Sequence, residues 1–329
     1  MPLVLTRSDL TGLVTPADVV AVVEQAFADL ADGTAAQAPL SVAALDDAAH
    51  FLPMTAVSRR AGLAGSKLLA DVPGNRERGL PAQRSVLVLA DADDGAPVAI
   101  LDGGLPTRLR TAAASAVATR WLARPDARVL GLVGAGGLAL EHVSAVAAVR
   151  PLEHVLFWTR SDGTAAAFAE QVAARHPELK VTRVDSPRSA VGSADVVCTL
   201  TPSREPVVLG EWFHPGLHVN VVGAPPRADH REVDGEAMRC SRVVVDSVST
   251  ALHESGDALL AIAEGAIGVD ACRLELGDVV TGRAVGRGSP EEVTLFDSVG
   301  LGLLDVVIGR LLVDAARAAG RGLPVELSA

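Results

Sequence analysis

The sequence predicts an α/β protein in which a doubly wound parallel sheet of the Rossmann type accompanies an α+β domain. The first observation is that strand-like and helix-like segments alternate from Arg128 to residue 246. The second is a glycine-rich turn, beginning at Gly134, directly after the first of these strands. The third is a succession of short strands and turns between Pro39 and Asp102. Alternating strands and helices predict a parallel sheet.

The length of the chain, 329 residues, suits two domains. We expect residues 1–113 and 301–329 to form the α+β domain, since a small-residue-rich helix predicted from Leu301 to Ala319 could return to the first part of the chain. Residues 114–300 are expected to form the Rossmann domain.

Capping residues, apolar spacing and turn residues predict the helices and strands of the α+β domain. Thr15-Pro16 predicts a helix start, and the apolar spacing continues that helix to Gly33. Asp93-Asp94-Gly95, between two apolar runs, predicts a hairpin. Thr107 predicts the cap of a long helix over residues 108–123. Strands are predicted within residues 41–45, 50–57, 65–72, 84–91 and 98–102.

The Rossmann domain has its own series of predicted strands, with helices between most of them. One such helix is predicted from Thr164 to Arg175. The strands are predicted at residues 128–133, 154–159, 180–184, 195–200, 217–222 and 242–246.

The turn Gly134-Ala135-Gly136-Gly137-Leu138-Ala139 joins the first of these strands to an Ala-rich helix. In this pattern the first glycine allows a tight turn, the second lets backbone N–H groups approach a pyrophosphate, and Ala139 lets the helix pack close to the strand. The helix N-terminus then faces the anion with its partial positive charge. We expect a dinucleotide to contact Gly134, Ala135, Gly136, Gly137 and Leu138; the alternative is a glycine-rich turn that binds nothing.

The composition argues against several classes of function. The net charge is −11, tyrosine is absent and aromatic residues make up 3% of the chain, so a basic groove for nucleic acid is not expected. The apolar runs are shorter than the roughly 20 residues of a membrane span. The first residues, MPLVLTRSDLTGL, lack the features of a secretory signal. Cys198, Cys240 and Cys272 are odd in number and widely spaced, which predicts neither a disulfide framework nor a metal site and favours the cytoplasm.

An ordered series of motifs resembles the ornithine cyclodeaminase/mu-crystallin family over most of the chain. The motifs are GSKLLADVPGNRERGLP (65–81), DADDGAPVAILDG (91–103), LPTRLRTAAASAVATRWLA (105–123), VGAGGLA (133–139), ADVVCTLTPSREPVV (194–208), RVVVDS (242–247) and EEVTLFDSVGLGLLD (291–305). The resemblance implies a mixed α/β domain for substrate binding and dimerisation, a Rossmann domain, and a homodimer or a multiple of one. Family members include cyclodeaminases, alanine dehydrogenases, ketimine and pyrroline-2-carboxylate reductases, opine-type dehydrogenases and a thyroid-hormone-binding crystallin.

The resemblance implies catalytic roles for Lys67 and Arg110. Lys67 matches the family's active-site lysine, and such an amine can bind a carboxylate, polarise an imine or pass a proton if burial lowers its pKa. The alternative is an ordinary lysine at a sheet edge. Arg110-Thr111 matches the family's Arg-Thr pair, in which an arginine fork suits a carboxylate or a pyrophosphate, and Thr111 is expected to contact the cofactor. Arg108 points elsewhere on the same helix and could be a surface charge.

The choice of cofactor depends on the end of the second Rossmann strand. NAD-specific sites usually carry Asp or Glu there, whereas this strand ends at Thr159, Arg160 and Ser161, with no acid before Asp162. These residues could hold a 2′-phosphate, as in the crystallin branch, which predicts NADP with NAD as an alternative. In the other interpretation Arg160 stacks on adenine and either cofactor binds. The resemblance implies further cofactor contacts at Thr199, Leu200, Thr201, Val222, Gly223 and Ser298.

Departures from the family pattern bear on the reaction. Pro225 occupies the place where cyclodeaminases carry an aspartate, and proline has no side chain for proton transfer. Asp229 is nearby in the same loop. Ser41 and Leu52 stand where many members offer basic residues, and Asp297 stands where a lysine is often found. The loop also contains Arg227 and His230, whose reach toward the active site is left open, and an isolated histidine such as His50 is more often structural.

The sequence therefore predicts an NAD(P)-dependent oxidoreductase that acts on a C=N or C–N bond next to a carboxylate, in an imino acid, an amino acid or a derivative of one. Such an enzyme is an imino-acid or ketimine reductase, or an amino-acid or opine-type dehydrogenase. Two alternatives remain: an ornithine or lysine cyclodeaminase, which is a lyase with bound NAD, and a non-enzymatic ligand-binding protein of the crystallin type.

Overall fold

A computed structural model describes residues 1–39, 41–46 and 48–327 of the chain. Leu40 and Asp47 belong to the predicted strand-rich segment and lie outside the described residues. Within the described part, no helix is both long and apolar enough to cross a membrane.

The chain divides into two compact units. The first unit comprises Met1–Arg110 and Leu301–Ala329, and the second comprises Thr111–Gly300. The first unit contains a mainly antiparallel sheet with helices, and the second contains a parallel sheet with helices. The predicted fold class is confirmed.

Strands occur throughout both units. In chain order they are β1 (Leu3–Leu5), β2 (Ala35–Gln37), β3 (Ala43–Asp46), β4 (Ala49–Ser58), β5 (Leu63–Asp71), β6 (Gln83–Asp91), β7 (Pro97–Asp102), β8 (Val129–Val133), β9 (His154–Trp158), β10 (Lys180–Arg183), β11 (Val196–Thr199), β12 (His218–Val221), β13 (Arg242–Val245), β14 (Thr294–Asp297) and β15 (Leu323–Pro324).

The helices are named in the same way. They are α1 (Arg7–Leu10), α2 (Pro16–Ala31), α3 (Gly104–Leu122), α4 (Gly137–Ala147), α5 (Asp162–Arg175), α6 (Pro187–Val191), α7 (Gly235–Arg239), α8 (Val248–Glu254), α9 (Gly256–Ala263), α10 (Leu276–Val280) and α11 (Gly302–Ala318). Short 3-10 helices cover Pro73–Arg78, Gly210–Trp212 and Val269–Cys272.

The sheet of the first unit has the order β15-β1-β7-β6-β5-β4-β2, and β3 also pairs with β4. The central strands β4 to β7 are antiparallel neighbours, and the predicted hairpin at Asp93-Asp94-Gly95 joins β6 to β7. The predicted start of α2 is also confirmed, because the Thr15 hydroxyl accepts from the Asp18 N–H and the Asp18 carboxylate accepts from the Thr15 N–H.

Helix α11 lies very close to this sheet because glycines face it. A Cβ at Gly65 on β5 would lie 3.0 Å from the Cγ2 atom of Val306. A Cβ at Gly309 would lie 2.8 Å from the Cδ1 atom of Leu89, and one at Gly302 would lie 3.0 Å from the backbone of Met54. Since larger residues would push the helix outward, these glycines set how far side chains on α11 reach into the sheet.

The sheet of the second unit is parallel, with the order β10-β9-β8-β11-β12-β14-β13. The strand order reverses between β8 and β11, which is the switch point of a doubly wound fold. The carboxyl ends of the central strands are in register, since Thr199 pairs with both Val133 and Val221, and Val221 pairs with Asp297. Loops that follow these strands therefore meet at one edge of the sheet.

Two local expectations differ from the structure. Helix α3 begins at Gly104, so Thr107 lies inside it and is not its cap; the N–H of Thr107 already donates to the Gly103 carbonyl, and the Asp102 carboxylate accepts from the Gly104 N–H instead. Strand β14 was not predicted as a strand, although its residues belong to a quoted motif. It inserts between β12 and β13, and its four buried residues are too few to show a periodicity.

Candidate active site

Lys67 lies in the interior of the sheet of the first unit. It sits on β5, opposite Met54 of β4 and Leu87 of β6, and its side chain is 1% exposed. Its Nζ atom is 2.7 Å from the Oδ2 atom of Asp305, which α11 carries to the sheet. The alternative of an ordinary lysine at a sheet edge is therefore wrong.

The environment of Lys67 changes its acidity. Burial lowers the pKa of the amine to about 8; the Asp305 carboxylate acts to raise it, and the nearby Arg110 guanidinium acts to lower it. A lysine with such a pKa can hold or release a proton near neutral pH.

Arg110 adds a second cation to the same cluster. It lies on α3 and is 6% exposed, with its Nε atom 3.7 Å from the Oδ1 atom of Asp305. Two cations thus face one buried carboxylate, and the Lys67–Asp305–Arg110 cluster carries an excess positive charge. Such a cluster suits an anionic group of a ligand.

Asp305 was missed in the sequence, although it ends the last quoted motif. The available signal was a single acid within the apolar run GLLDVVIGRLL of the tail helix. A buried carboxylate on such a face needs a cationic partner, and that requirement could have directed attention to Lys67.

The glycine turn of the second unit has the form that a dinucleotide requires. Gly134 directly follows β8 with a φ of +110°, and a Cβ there would lie 2.8 Å from the Leu200 carbonyl oxygen. Gly136 caps α4, and a Cβ at this position would meet open space, with nothing within 4 Å. Ala139, in the first turn of α4, is fully buried. The turn therefore leaves room for a pyrophosphate at a helix N-terminus, and these residues fit such a group.

Two arginines of the second unit, Arg160 and Arg183, lie at the neighbouring carboxyl ends of β9 and β10. Thr159 is half-buried, Arg160 is exposed, and the exposed Ser161 caps α5 by accepting from the Thr164 N–H. Arg183, at the end of the neighbouring β10, donates to the Thr159 carbonyl at 3.4 Å and lies 2.8 Å from the Asp162 carboxylate. Arg183 was not predicted from the sequence, because the pattern that distinguishes NAD from NADP concerns only the end of the second Rossmann strand, β9, and Arg183 ends β10.

Thr111 lies on α3 and is 8% exposed, and the other predicted cofactor residues end β11 or follow β11, β12 and β14. Leu200 donates its N–H to the Val133 carbonyl at 2.8 Å, and Ser298 donates its N–H to the Val221 carbonyl at 3.0 Å. A Cβ at Gly223 would lie 2.2 Å from the Thr201 nitrogen, so only glycine allows these loops to touch. The structure thus brings Thr199, Leu200, Thr201, Val222, Gly223 and Ser298 together at the carboxyl edge of the sheet.

Two buried carboxylates, those of Asp246 and Asp297, lie next to the loop that follows β14. Asp246 accepts from the Ser298 hydroxyl at 2.8 Å and from the Gly300 N–H at 2.7 Å. Asp297 accepts from the Ser255 hydroxyl at 2.7 Å, and burial, opposed by that hydrogen bond, raises its pKa to about 7. None of the described groups of His, Cys, Asp or Glu could supply three or more ligands to a metal ion.

The loop after β12 carries Pro225 at the position where the motifs place the aspartate of cyclodeaminases. Pro225 is buried, and Asp229 lies 2.8 Å from the Nδ1 atom of His230 and 3.5 Å from Arg204. Burial acts to raise the pKa of Asp229, but the hydrogen bond and charge of His230, together with Arg204, lower it overall. Arg227 is 9% exposed in the same loop.

The fold of the second unit, its glycine turn and its strand-end loops define a dinucleotide-binding α/β protein. The model of the ornithine cyclodeaminase/mu-crystallin family matches residues 1–320. The chain belongs to this family, as the motifs predicted.

Three relatives show the range of the similarity. A Δ1-pyrroline-2-carboxylate reductase of Thermococcus litoralis, solved with NADH and L-proline, has a TM-score of 0.95 at 35% identity, covering 98% of this chain and 100% of that one. An archaeal alanine dehydrogenase dimer with bound NAD has a TM-score of 0.92 at 30% identity, covering 99% of each chain. The ketimine reductase mu-crystallin of Rattus norvegicus is 36% identical over 250 residues, which is 76% of this chain and 75% of the relative.

Proposed function

We propose that this protein is an NAD(P)-dependent reductase of cyclic or 2-imino acids, which converts a C=N bond next to a carboxylate into the amine. The observation that carries the proposal is the buried Lys67–Asp305–Arg110 cluster, with a lysine pKa of about 8. The family relatives bear out the class, an oxidoreductase that uses a nicotinamide dinucleotide and acts on C=N or C–N bonds.

Each member of the cluster has a role in this reaction. When bound, the nicotinamide cofactor supplies hydride to the imine carbon. Lys67, protonated below about pH 8, donates a proton to the imine nitrogen, so that hydride and proton together complete the amine. Arg110 binds the substrate carboxylate, and Asp305 holds the lysine in place while the substrate is absent.

The cyclodeaminase alternative has less support. Its chemistry needs a side chain that moves protons at the position of Pro225, and proline cannot do so. Asp229 is engaged by His230 and Arg204. The non-enzymatic alternative gives no reason for a fully buried lysine whose pKa is lowered toward neutrality.

The cofactor proposal is that NADP(H) binds more tightly than NAD(H). Arg160 and Arg183 are cations at the ends of β9 and β10, and a 2′-phosphate is the group of NADP that such arginines recognise. Asp162 is the nearest acid, and it is paired with Arg183. We expect NAD(H) to bind as well, since only the phosphate contact distinguishes the two cofactors.

We further propose a homodimer that forms through the outer face of the first unit's sheet. Alternate residues of β4, β5 and β6 leave apolar side chains exposed by 39% to 46% on this face, namely Phe51, Val57, Leu68, Val86 and Val88. Since a sheet face of this kind gains from being covered, a second copy of the chain is the proposed cover. A related archaeal alanine dehydrogenase is a dimer.

A turnover screen tests the proposed reaction. The purified protein is mixed with NADPH or NADH and a cyclic imino acid, or with a 2-oxo acid plus an amine, and loss of the reduced nicotinamide is followed. We expect reduction of the imino acids. Formation of proline and ammonia from L-ornithine would replace the proposal with the lyase, and cofactor binding without turnover of any substrate would favour the ligand-binding alternative.

A further inference from the structure

A buried glutamate in the second unit binds both loops that follow β11 and β12. Glu232 is fully buried. Its Oε1 atom accepts from the N–H of Thr201 at 2.5 Å and from the Thr201 hydroxyl at 2.8 Å. Its Oε2 atom accepts from the Thr199 hydroxyl and from the N–H of Gly223, both at 2.7 Å. One carboxylate therefore joins residues 199–201 to Gly223.

The segment that carries Glu232 is itself held firmly. The N–H groups of Glu232 and Val233 both donate to the Oδ1 atom of Asp257 at 2.8 Å. The carbonyl of Glu232 accepts from the N–H groups of Val207 and Val208 at 2.8 and 3.0 Å. Because its backbone is fixed on both sides, the carboxylate has a defined position from which to hold the loops.

The four donors are arranged so that only a carboxylate satisfies them all. Each oxygen of Glu232 accepts from one backbone N–H, which can donate but never accept, and from one hydroxyl. A glutamine would have to turn its NH₂ group toward the N–H of either Thr201 or Gly223. The neutral analogue thus cannot keep both loops bound, whichever way its amide is turned.

Burying this carboxylate is costly, which calls for a reason beyond packing. Burial raises the pKa of Glu232 above its ordinary value, although the hydrogen bonds from Thr199, Thr201 and Gly223 act to lower it. The hydrogen-bond partners described for its carboxylate are all neutral N–H and O–H groups. An apolar residue would avoid the desolvation cost but could not join the loops.

We propose that Glu232 is a positioning residue, which fixes the loops at 199–201 and 222–223 so that the nicotinamide half of the cofactor is held in one place. These loops belong to the half of the sheet that lies across the switch point between β8 and β11 from the end of β9 that carries Arg160. The inference rests on the proposed function in one respect, which is that the protein binds NADP(H). Hydride transfer depends steeply on the placement of the donor carbon, so loosened loops reduce turnover as well as affinity.

The test compares NADPH with a fragment that lacks nicotinamide, adenosine 2′,5′-bisphosphate. In Glu232→Gln we expect the affinity for NADPH to fall about tenfold or more, because a buried N–H is left facing another donor. The fragment should bind as tightly as it does to the wild-type protein, since its contacts lie at the glycine turn and the end of β9. Fluorescence titration for NADPH and calorimetry for the fragment give both affinities.

Two control variants separate loop placement from loss of stability. Val172→Ala removes buried atoms from α5 and destabilises the second unit, and it should leave the affinity for NADPH unchanged. Glu236→Gln makes the same chemical change in a partly exposed glutamate of α7 and should be neutral. If Val172→Ala lost as much affinity as Glu232→Gln, or if Glu232→Gln bound NADPH normally, the proposal would be overturned.

A milder variant covers the case in which Glu232→Gln does not fold. Thr199→Val removes one hydroxyl donor to the Oε2 atom and nearly preserves the shape of the side chain. It should weaken NADPH several-fold and leave the fragment unaffected; unchanged NADPH binding would overturn the proposal here too. These are binding measurements, so a failure of the imino-acid assay would be seen separately.

Discussion

At the scale of the residue, the proposed mechanism makes the direction of proton transfer depend on the charge state of Lys67. With its pKa lowered by burial to about 8, the amine is mostly protonated at neutral pH. We expect kcat/KM for imine reduction to fall as the pH rises through about 8, and the rate of amine oxidation to rise over the same interval. Initial rates in both directions across this range provide the measurement. A reduction rate that stayed flat through this range would mean that another group supplies the proton.

Variants of the cluster make the assignment specific. Lys67→Met should lower kcat by about a hundredfold or more, with cofactor affinity nearly unchanged, since Lys67 and the glycine turn belong to different units. Lys67→Arg keeps the charge without a readily transferred proton and should not restore turnover. Asp305→Asn removes the charge that raises the lysine pKa, so the alkaline limb should move to lower pH. An active Lys67→Met enzyme would remove the lysine from the mechanism.

Asp297 gives a prediction about stability. Burial raises its pKa in the folded protein from 3.8 to about 7, so the folded state binds a proton that the unfolded state releases. The stability that this proton gives is present at low pH and is lost as the pH rises through about 7. Asp297→Asn keeps an acceptor for the Ser255 hydroxyl and removes the titration. We expect it to lose less unfolding free energy between about pH 5 and 8 than the wild type, by on the order of 1–3 kcal/mol.

Urea unfolding at both ends of that pH range measures the difference. The control is Asp270→Asn, which alters an aspartate whose side chain is 86% exposed and should leave the wild-type pH dependence in place. Identical pH dependence in the wild type and Asp297→Asn would show that the aspartate does not carry this proton.

At the scale of the element, the sequence was sufficient wherever a strand leads into a recognisable turn. The predicted strands β8 to β13 agree with the structure within one residue at each end, because alternating apolar segments and glycine turns mark them. β14 was not predicted because its four buried residues show no periodicity, and the start of α3 was not predicted because Asp102, and not Thr107, accepts the hydrogen bond at its first turn. Glu232 was missed because only the fold shows which donors surround it, whereas Asp305 had a signal in the sequence as the single acid in the apolar run of the tail helix.

The end of β9 supports a prediction about cofactor preference. We expect the wild-type protein to bind NADPH more tightly than NADH, and Arg160→Ala to weaken NADPH about tenfold while leaving NADH unchanged, since a charge-assisted contact to the phosphate is lost. Arg183→Ala should act in the same direction. Arg175→Ala, at the opposite end of the helix that Ser161 caps and paired with Glu141, is the matched control. Fluorescence titrations with both cofactors decide the matter, and equal or tighter binding of NADH by the wild type would refute the preference.

At the scale of the whole molecule, the apolar outer face of the first unit's sheet predicts how two copies of the chain associate. Leu68 on β5 is 45% exposed at the centre of this face, and Val88 on β6 is 46% exposed. Burying each such side chain in an interface contributes roughly 1–3 kcal/mol, whereas a lysine there would place an unpaired charge in it. We expect the wild type to be a dimer, or a multiple of one, by analytical ultracentrifugation, and Leu68→Lys with Val88→Lys to give a folded monomer.

Val285→Lys is the control for this double variant. It changes a 63% exposed valine of the second unit and should leave the association unchanged. If the double variant kept the wild-type mass, the subunits would associate through another surface, and if the wild type were a monomer, the sheet face would need a different partner.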